Sequence, residues 1–386
     1  MSSRSDAERS HFQITDGKIA VTNLESTRIR SWSRFFADPV RAGTAEAVIE
    51  HEQLTAQFVG DVFALDRIEL LVAELIKADP VSGRTALIQA QAASIAHRFA
   101  EARNYLEKAE SSGALKPDVD RLRLNIDQAC GTNLDAVLEA RRRVASETRG
   151  LPDQIALGSL LADMGDFAAA DETYNESLRG YQDVSPFPIA WVYFQLGILW
   201  GELVPDRDHA YAAQCYHRAI DVLPGYAKAR VHLAEICISQ ARLNEAEVLL
   251  APAVLSGDPE VRWRLAEVAR ALGNLDEGEA HLQAARSGYD HLLERHLLAF
   301  ADHGAEFYSA EGNDFCGALD LARVNIANRP TLRAFEQAYA IALSVGDDTA
   351  LSELLAGATK RWDGTAAFRQ SPLGRHQASR FDGATA

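Results

Sequence analysis

The chain has 386 residues, 47% hydrophobic and 24% charged, with a formal net charge of −16; this is an ordinary globular balance, so disorder is not the expected state. The acidic excess argues against a nucleic-acid or anionic-membrane surface, where Lys and Arg neutralising phosphates dominate binding. No window approaches the roughly twenty apolar residues of a membrane span, and the opening MSSRSDAERSHFQ lacks the apolar core of a secretory signal, so the expected location is cytoplasmic.

Residues 1–10 are polar. Residues 11–22 alternate around Asp16-Gly17, which predicts a short β-hairpin pairing Ile14 with Ile19 and Phe12 with Val21. Its apolar face must pack on something, either as a cap on the first helices or as a docking element for a partner. An aromatic, arginine-rich helix is expected next, with Trp32, Phe35 and Phe36 sealing the N-terminal core. Residues 44–80 suggest a helix pair with stripes Ala56, Val59, Phe63 and Ile68, Val72, Leu75, stopped at Pro80. A second pair spans 84–115 (Ala90, Ala93, Ala102, Leu106, Ala109). A weaker one spans 118–148 (Leu122, Leu124, Gly131, Ala136, Ala140), with Arg143 where a small residue is expected. Its helix LEARRRVASETR is unusually basic and is expected to form a solvated face balanced by Glu139 and Glu147, the alternative being a functional basic patch.

The clearest pattern lies at 188–226. In AWVYFQLGILW the residues Tyr193, Leu196, Gly197 and Trp200 share one helical face. Gly197 costs about 1 kcal/mol there relative to Ala, so a close partner helix must offset it. That partner is HAYAAQCYHRAIDVLP, in which Ala212 and Ala219 flank Tyr216 and Pro224 ends the helix. The pattern recurs upstream (Leu157-Gly158, Gly165-Asp166, Ala170, Tyr174) and twice downstream (Leu233-Ala234, Ala246, Leu250, Ala253, then Leu265-Ala266, Gly273-Asn274, Gly278, Leu282, Ala285). Beyond it, 291–329 and 331–362 read as two more pairs, with Ala318, Ala322 and Pro330, then Ala338, Gly346-Asp347, Ala350 and Leu354. The tail 363–386 loses periodicity and is either disordered or laid along a groove through Phe368, Leu373 and Phe381.

Tyr193, Leu196, Gly197 and Trp200, followed by Ala212, Tyr216, Ala219 and Pro224, resemble the tetratricopeptide repeat (TPR). The resemblance implies an all-α fold, a right-handed superhelix of about nine helix pairs, here with the short N-terminal β-hairpin added. The expected organisation is a hairpin and cap helix (1–43), degenerate pairs (44–150), four clear units (151–290), degenerate pairs (291–362) and a polar tail (363–386). In that family the first helix of each pair lines a concave groove that holds a peptide. By register the groove candidates are Trp191, Phe194, Gln195, Lys228, His232, Glu235, Trp263, Arg264, Glu267 and Arg270, with Phe335, Glu336 and Tyr339 further on. Trp191 and Trp263 read equally well as inter-repeat packing. A subclass grips a C-terminal carboxylate with Lys, Arg and paired Asn; Lys228 and Arg264 fit, but His232 and Glu235 stand where amides are wanted, and Glu235 would repel the carboxylate.

The implied function is a non-enzymatic scaffold, an adaptor or regulator that binds a protein or peptide partner without a cofactor. The alternative is a dedicated maturation or assembly chaperone, or accessory subunit, for one enzyme system. A third reading gives the 290–306 region a metal-binding or catalytic role through His291, His296, His303, Asp290, Glu294, Asp302 and Glu306. Against it, His296 and His303 on one continuous helix lie about 10 Å apart, too far for a single ion. Adjacent helices could bring Cys237 near Cys215 and His217, but the CxH spacing points those two side chains apart. No phosphate-binding glycine loop, hydrolase elbow or zinc-protease motif is present.

Overall fold

The computed structural model describes residues 13–148 and 150–383. It is 81% helical, with no strand among the described residues. A long first helix, α1 (Gly17–Ala37), precedes α2 (Thr44–Leu54) and α3 (Ala64–Ala78), then α4 (Gly83–Ile95) with α5 (Phe99–Ser111) and α6 (Lys116–Ala129) with α7 (Leu134–Thr148). The middle holds α8 (Leu151–Asp163) with α9 (Phe167–Arg179), α10 (Pro186–Ile198) with α11 (His209–Val222), and α12 (Ala227–Ser239) with α13 (Leu243–Leu250). Then follow α14 (Pro259–Ala271), α15 (Leu275–Ser309), α16 (Phe315–Asn328), α17 (Leu332–Val345), α18 (Asp348–Trp362), α19 (Ala366–Gln370) and α20 (Pro372–Gly383).

Two local devices repeat. The turn inside a pair places one residue in the left-handed region, as at Gly165 (φ 81°), Gly273 (φ 86°) and Gly346 (φ 71°), where glycine has no β-carbon to clash. An aspartate then caps the second helix: Asp166, Asp208, Asp314 and Asp347 each accept a backbone N–H three residues on, worth about 1 kcal/mol apiece. Pairs close through a small residue facing a large one. A β-carbon on Gly158 would lie 2.6 Å from the Tyr174 ring, and one on Gly197 would collide with the Tyr216 ring, so each glycine admits an aromatic face where no side chain fits.

The expected hairpin is replaced by helix. Asp16 is the N-cap of α1, its carboxylate accepting from the backbone N–H of Lys18 (3.0 Å) and Ile19 (3.2 Å). The buried positions Ala20, Leu24, Ser31 and Phe35 follow a helical period that outlasts the short alternation around Asp16. A β-carbon on Gly17 would collide with the Val222 carbonyl, so this glycine serves a close backbone approach to the α11–α12 turn. Phe12, half of one expected pairing, lies outside the described residues.

Three further expectations change. A π-helical turn at Thr55–Val59 shifts the register, burying Phe58 and leaving Phe63 half exposed. The basic helix keeps its solvated face at Glu139, Arg142, Arg143 and Glu147, but Arg141 is buried between α6 and α7, hydrogen-bonded to Gln128 (3.2 Å) and Asn125 (2.6 Å). Residues 366–383 are the helices α19 and α20, and Phe368 and Leu373 sit in the core under them.

α15 is not one straight rod. At His296 (φ −135°, ψ 49°) it reverses, and Tyr289 stacks on Phe307 at 4.7 Å while Asp290 meets the Tyr308 hydroxyl 18 residues on. In a straight helix that separation would be about 27 Å. Its first arm therefore closes the pair begun by α14, and its second arm opens the next pair with α16.

The stack coils back on itself. Asp66 on α3 contacts Arg295 and His296, 229 and 230 residues along. The amide of Asn328 donates to the His97 carbonyl (2.8 Å) and Arg361 to that of Gly131 (3.1 Å), 231 and 230 residues along. Trp362 covers Gly131, and Gln370 donates to the Gly165 carbonyl (3.1 Å). This near-constant interval makes one superhelical turn about as long as those separations, with successive turns in direct contact.

Candidate functional site in the superhelix lumen

The first helices of the pairs turn a row of charged side chains into the space the coil encloses. Arg333 on α17 donates to Glu202, after α10, at 3.1 Å across a separation of 131 residues. That is a little over half a superhelical turn, so this pair bridges the space the coil encloses. From Glu202 the network continues along successive first helices. His232 Nδ1 lies 3.1 Å from Glu202 and 3.4 Å from Glu235. Glu235 pairs with Arg264, whose guanidinium also faces Glu267 at 3.1 Å, Glu260 at 3.6 Å and Glu306 at 3.7 Å. On the second arm of α15, Asp302 pairs with Arg329.

Proton affinities follow from this crowding. Against burial, His232 and Arg333 pull the Glu202 carboxyl down to about 2. Burial alone would lower His232, but the hydrogen bond to Glu202 and the charges of Glu235 and Glu260 hold it up to about 9, so it is protonated at neutral pH. Burial, then the like charges of Glu260 and Glu235, push Glu306 up to about 7. Burial likewise raises Asp163, at the end of α8, to about 6, with Arg333 and Arg329 opposing.

Of the residues expected in a groove, His232, Glu235, Arg264 and Glu267 meet in one network, and Lys228 lies at its edge, acting on Asp258 and Glu260. The aromatic residues are used elsewhere. Trp263 is 2% exposed, edge-on to Phe307 at 5.6 Å, with the Arg264 guanidinium stacked 3.7 Å above its ring. Trp191 is wedged between Phe58 (6.3 Å) and Phe194 (5.8 Å); Phe194 is buried edge-on to His232, and Gln195 is half-buried beside them. Phe335 is core, packed on Gly357. Arg270 leaves the cluster to bind Glu311 (2.5 Å) and Glu279 (2.9 Å), Glu336 stands near Arg333, and Tyr339 faces His376 of α20 at 5.8 Å. Glu260 and Arg333, missed in the sequence, were readable one helical turn before Arg264 and Glu336. Glu202 gave no signal, because it lies in a π-helical turn.

The histidines of 290–306 do not converge. His291 lies beside Phe63 (6.5 Å), His303 lies near enough to Asp302, Glu260 and Glu306 to act on their charges, and His296 is buried with Nε2 2.9 Å from Asp66 and Nδ1 3.8 Å from Glu69. Arg295 and Arg98 already pair with those two carboxylates, so the cluster reads as a junction between superhelical turns.

The fold defines a class: an all-α helical-repeat protein. Residues 154–179 match the tetratricopeptide repeat family, and the chain is a TPR-like repeat protein. No curated protein matches it. Among solved structures it is similar to the APC/C hetero-tetramer Cut9–Hcn1, at 13% identity, 82% of this chain, 52% of that one and a TM-score of 0.38. BtubC from P. vanneervenii is similar at 18% identity over 62% and 90% (TM-score 0.36), and yeast Tom70 at 13% over 94% and 95% (TM-score 0.33). The chain spans about half the length of the first of these. With TM-scores below 0.5 these likenesses carry no weight alone, and the repeat carries the class.

Proposed function

We propose that the protein is a non-enzymatic scaffold that holds a segment of a partner protein in the lumen. The observation carrying this reading is the charged row on the first helices from α12 to α17, in which Arg333 and Glu306 keep side-chain exposures of 58% and 52%. Surface of this kind, ordered by a rigid stack and left open to water, suits recognition of a segment carrying its own charges. Burial of the aromatic candidates makes the anchors electrostatic and polar, so binding should weaken with salt.

Affinity capture with the full chain tests the proposal. Arg333→Ala combined with Glu336→Gln should release a partner that the wild type retains. Glu172→Gln with Glu176→Gln, on the exposed face of α9, should retain it. Equal recovery by both variants would place binding outside the lumen.

A further inference from the structure

We propose that the segment held in the lumen presents a lysine or arginine side chain, seated among Glu235, Glu260, Glu267 and Glu306. This rests on the lumen reading above and names the chemistry of the partner. Four carboxylates from three successive first helices converge on the single guanidinium of Arg264; His232 is shared with Glu202, while Lys228 and His303 act on Glu260. Glu306 is the least compensated, since Arg264 stays 3.7 Å away while closer carboxylates hold it. The half-exposed Glu306 side chain leaves room for another cation to reach it.

A second observation comes from the donors at the floor of this cluster. Arg264, its side chain 9% exposed, leaves its Nε–H without an acceptor, and the indole N–H of Trp263 beneath it is also unpaired. An unsatisfied buried donor costs about 1–3 kcal/mol, so both favour a ligand that brings an acceptor. The under-compensated Glu306 carboxylate beside unpaired donors fits a ligand that offers both a cation and carbonyl oxygens. A basic peptide segment does so; a bare metal ion brings no acceptor, and an acidic segment would add to the charge excess. The raised proton affinity of Glu306 agrees with a missing cation.

The test uses the full chain and fluorescence anisotropy with labelled peptides of equal length in which glycine alternates with lysine, glutamine or glutamate. The lysine peptide should bind the wild type and bind Glu260→Gln/Glu306→Gln at least about tenfold more weakly. Glu172→Gln/Glu176→Gln, with the same net charge, should bind it like the wild type. Equal weakening in both variants, or none in the lumen variant, overturns the proposal, because attraction to an acidic protein at large would then explain the binding. If the glutamine peptide binds as tightly as the lysine peptide and Arg333→Glu releases it, the lumen reading stands and the cationic partner falls. If no peptide responds to any lumen substitution, both fall. Circular dichroism melting confirms the fold, and Glu306→Gln alone, at a half-exposed side chain, carries the test should the double variant unfold.

Discussion

Gly197 shows how one residue sets the spacing of two helices. Its Cα meets the Tyr216 ring where no β-carbon fits, so Gly197→Ala should cost about 2 kcal/mol through overpacking, although Ala is the better helix former. Restoring the space with Tyr216→Leu should make the double variant less destabilised than the sum of the two singles, read from urea midpoints. Ala241 is the converse. It occupies the left-handed position (φ 57°) that Gly165 and Gly273 fill in neighbouring pairs, so Ala241→Gly should stabilise by about 1 kcal/mol. His232 carries the pH dependence. Its folded-state proton affinity exceeds the ordinary value of 6.5, so its stabilisation is fully present below pH 6.5 and is lost as pH rises through about 9. Wild-type unfolding free energy should fall by about 2–3 kcal/mol across that window. In His232→Gln most of that slope should disappear, leaving the shallower part below about pH 8 that comes from Glu306, held up to about 7.

At the scale of elements, the sequence made the repeat visible where small and large residues alternate at helical spacing, as in Gly158 with Tyr174 and Gly197 with Tyr216. It misled where one short pattern fits two structures. Asp16-Gly17 is a good hairpin loop and an equally good helix start, and only the longer stripe through Leu24 and Phe35 decides. The swap of Phe58 for Phe63 was hidden because a π-helical turn has no clear sequence mark. The lumen was partly legible: register alone placed His232, Glu235, Arg264 and Glu267 on first helices. Glu202 and Arg333 depend on how far the coil closes, a property of summed small rotations between repeats. The tail was misread because Phe368 and Leu373 find their partners in residues far away in sequence. Trp362 joins the last full pair to Gly131 and the Pro330 carbonyl, so Trp362→Ala should cost about 3–5 kcal/mol and loosen α19 and α20 first, visible as faster amide exchange there.

For the whole molecule, contact between successive turns converts an open spring into a closed coil. Asp66, bridging Arg295 and His296, and the Arg361 contact with Gly131 hold these turns together. Asp66→Ala with Arg361→Ala should open the coil, raising the radius of gyration in small-angle scattering while helical circular dichroism stays constant. On the function proposed above, closure directs recognition inward, toward the exposed side chains of Arg333 and Glu306. Site-specific photo-crosslinking tests this most directly. A benzophenone side chain replaces Asp163 on the lumen wall or Glu172 on the outer face, in the cells from which the protein comes, and the attached peptides are sequenced by mass spectrometry. Position 163 should attach one recurring segment rich in Lys or Arg, and position 172 should not. Attachment only from position 172, or the same mixture from both, would contradict a partner held in the lumen.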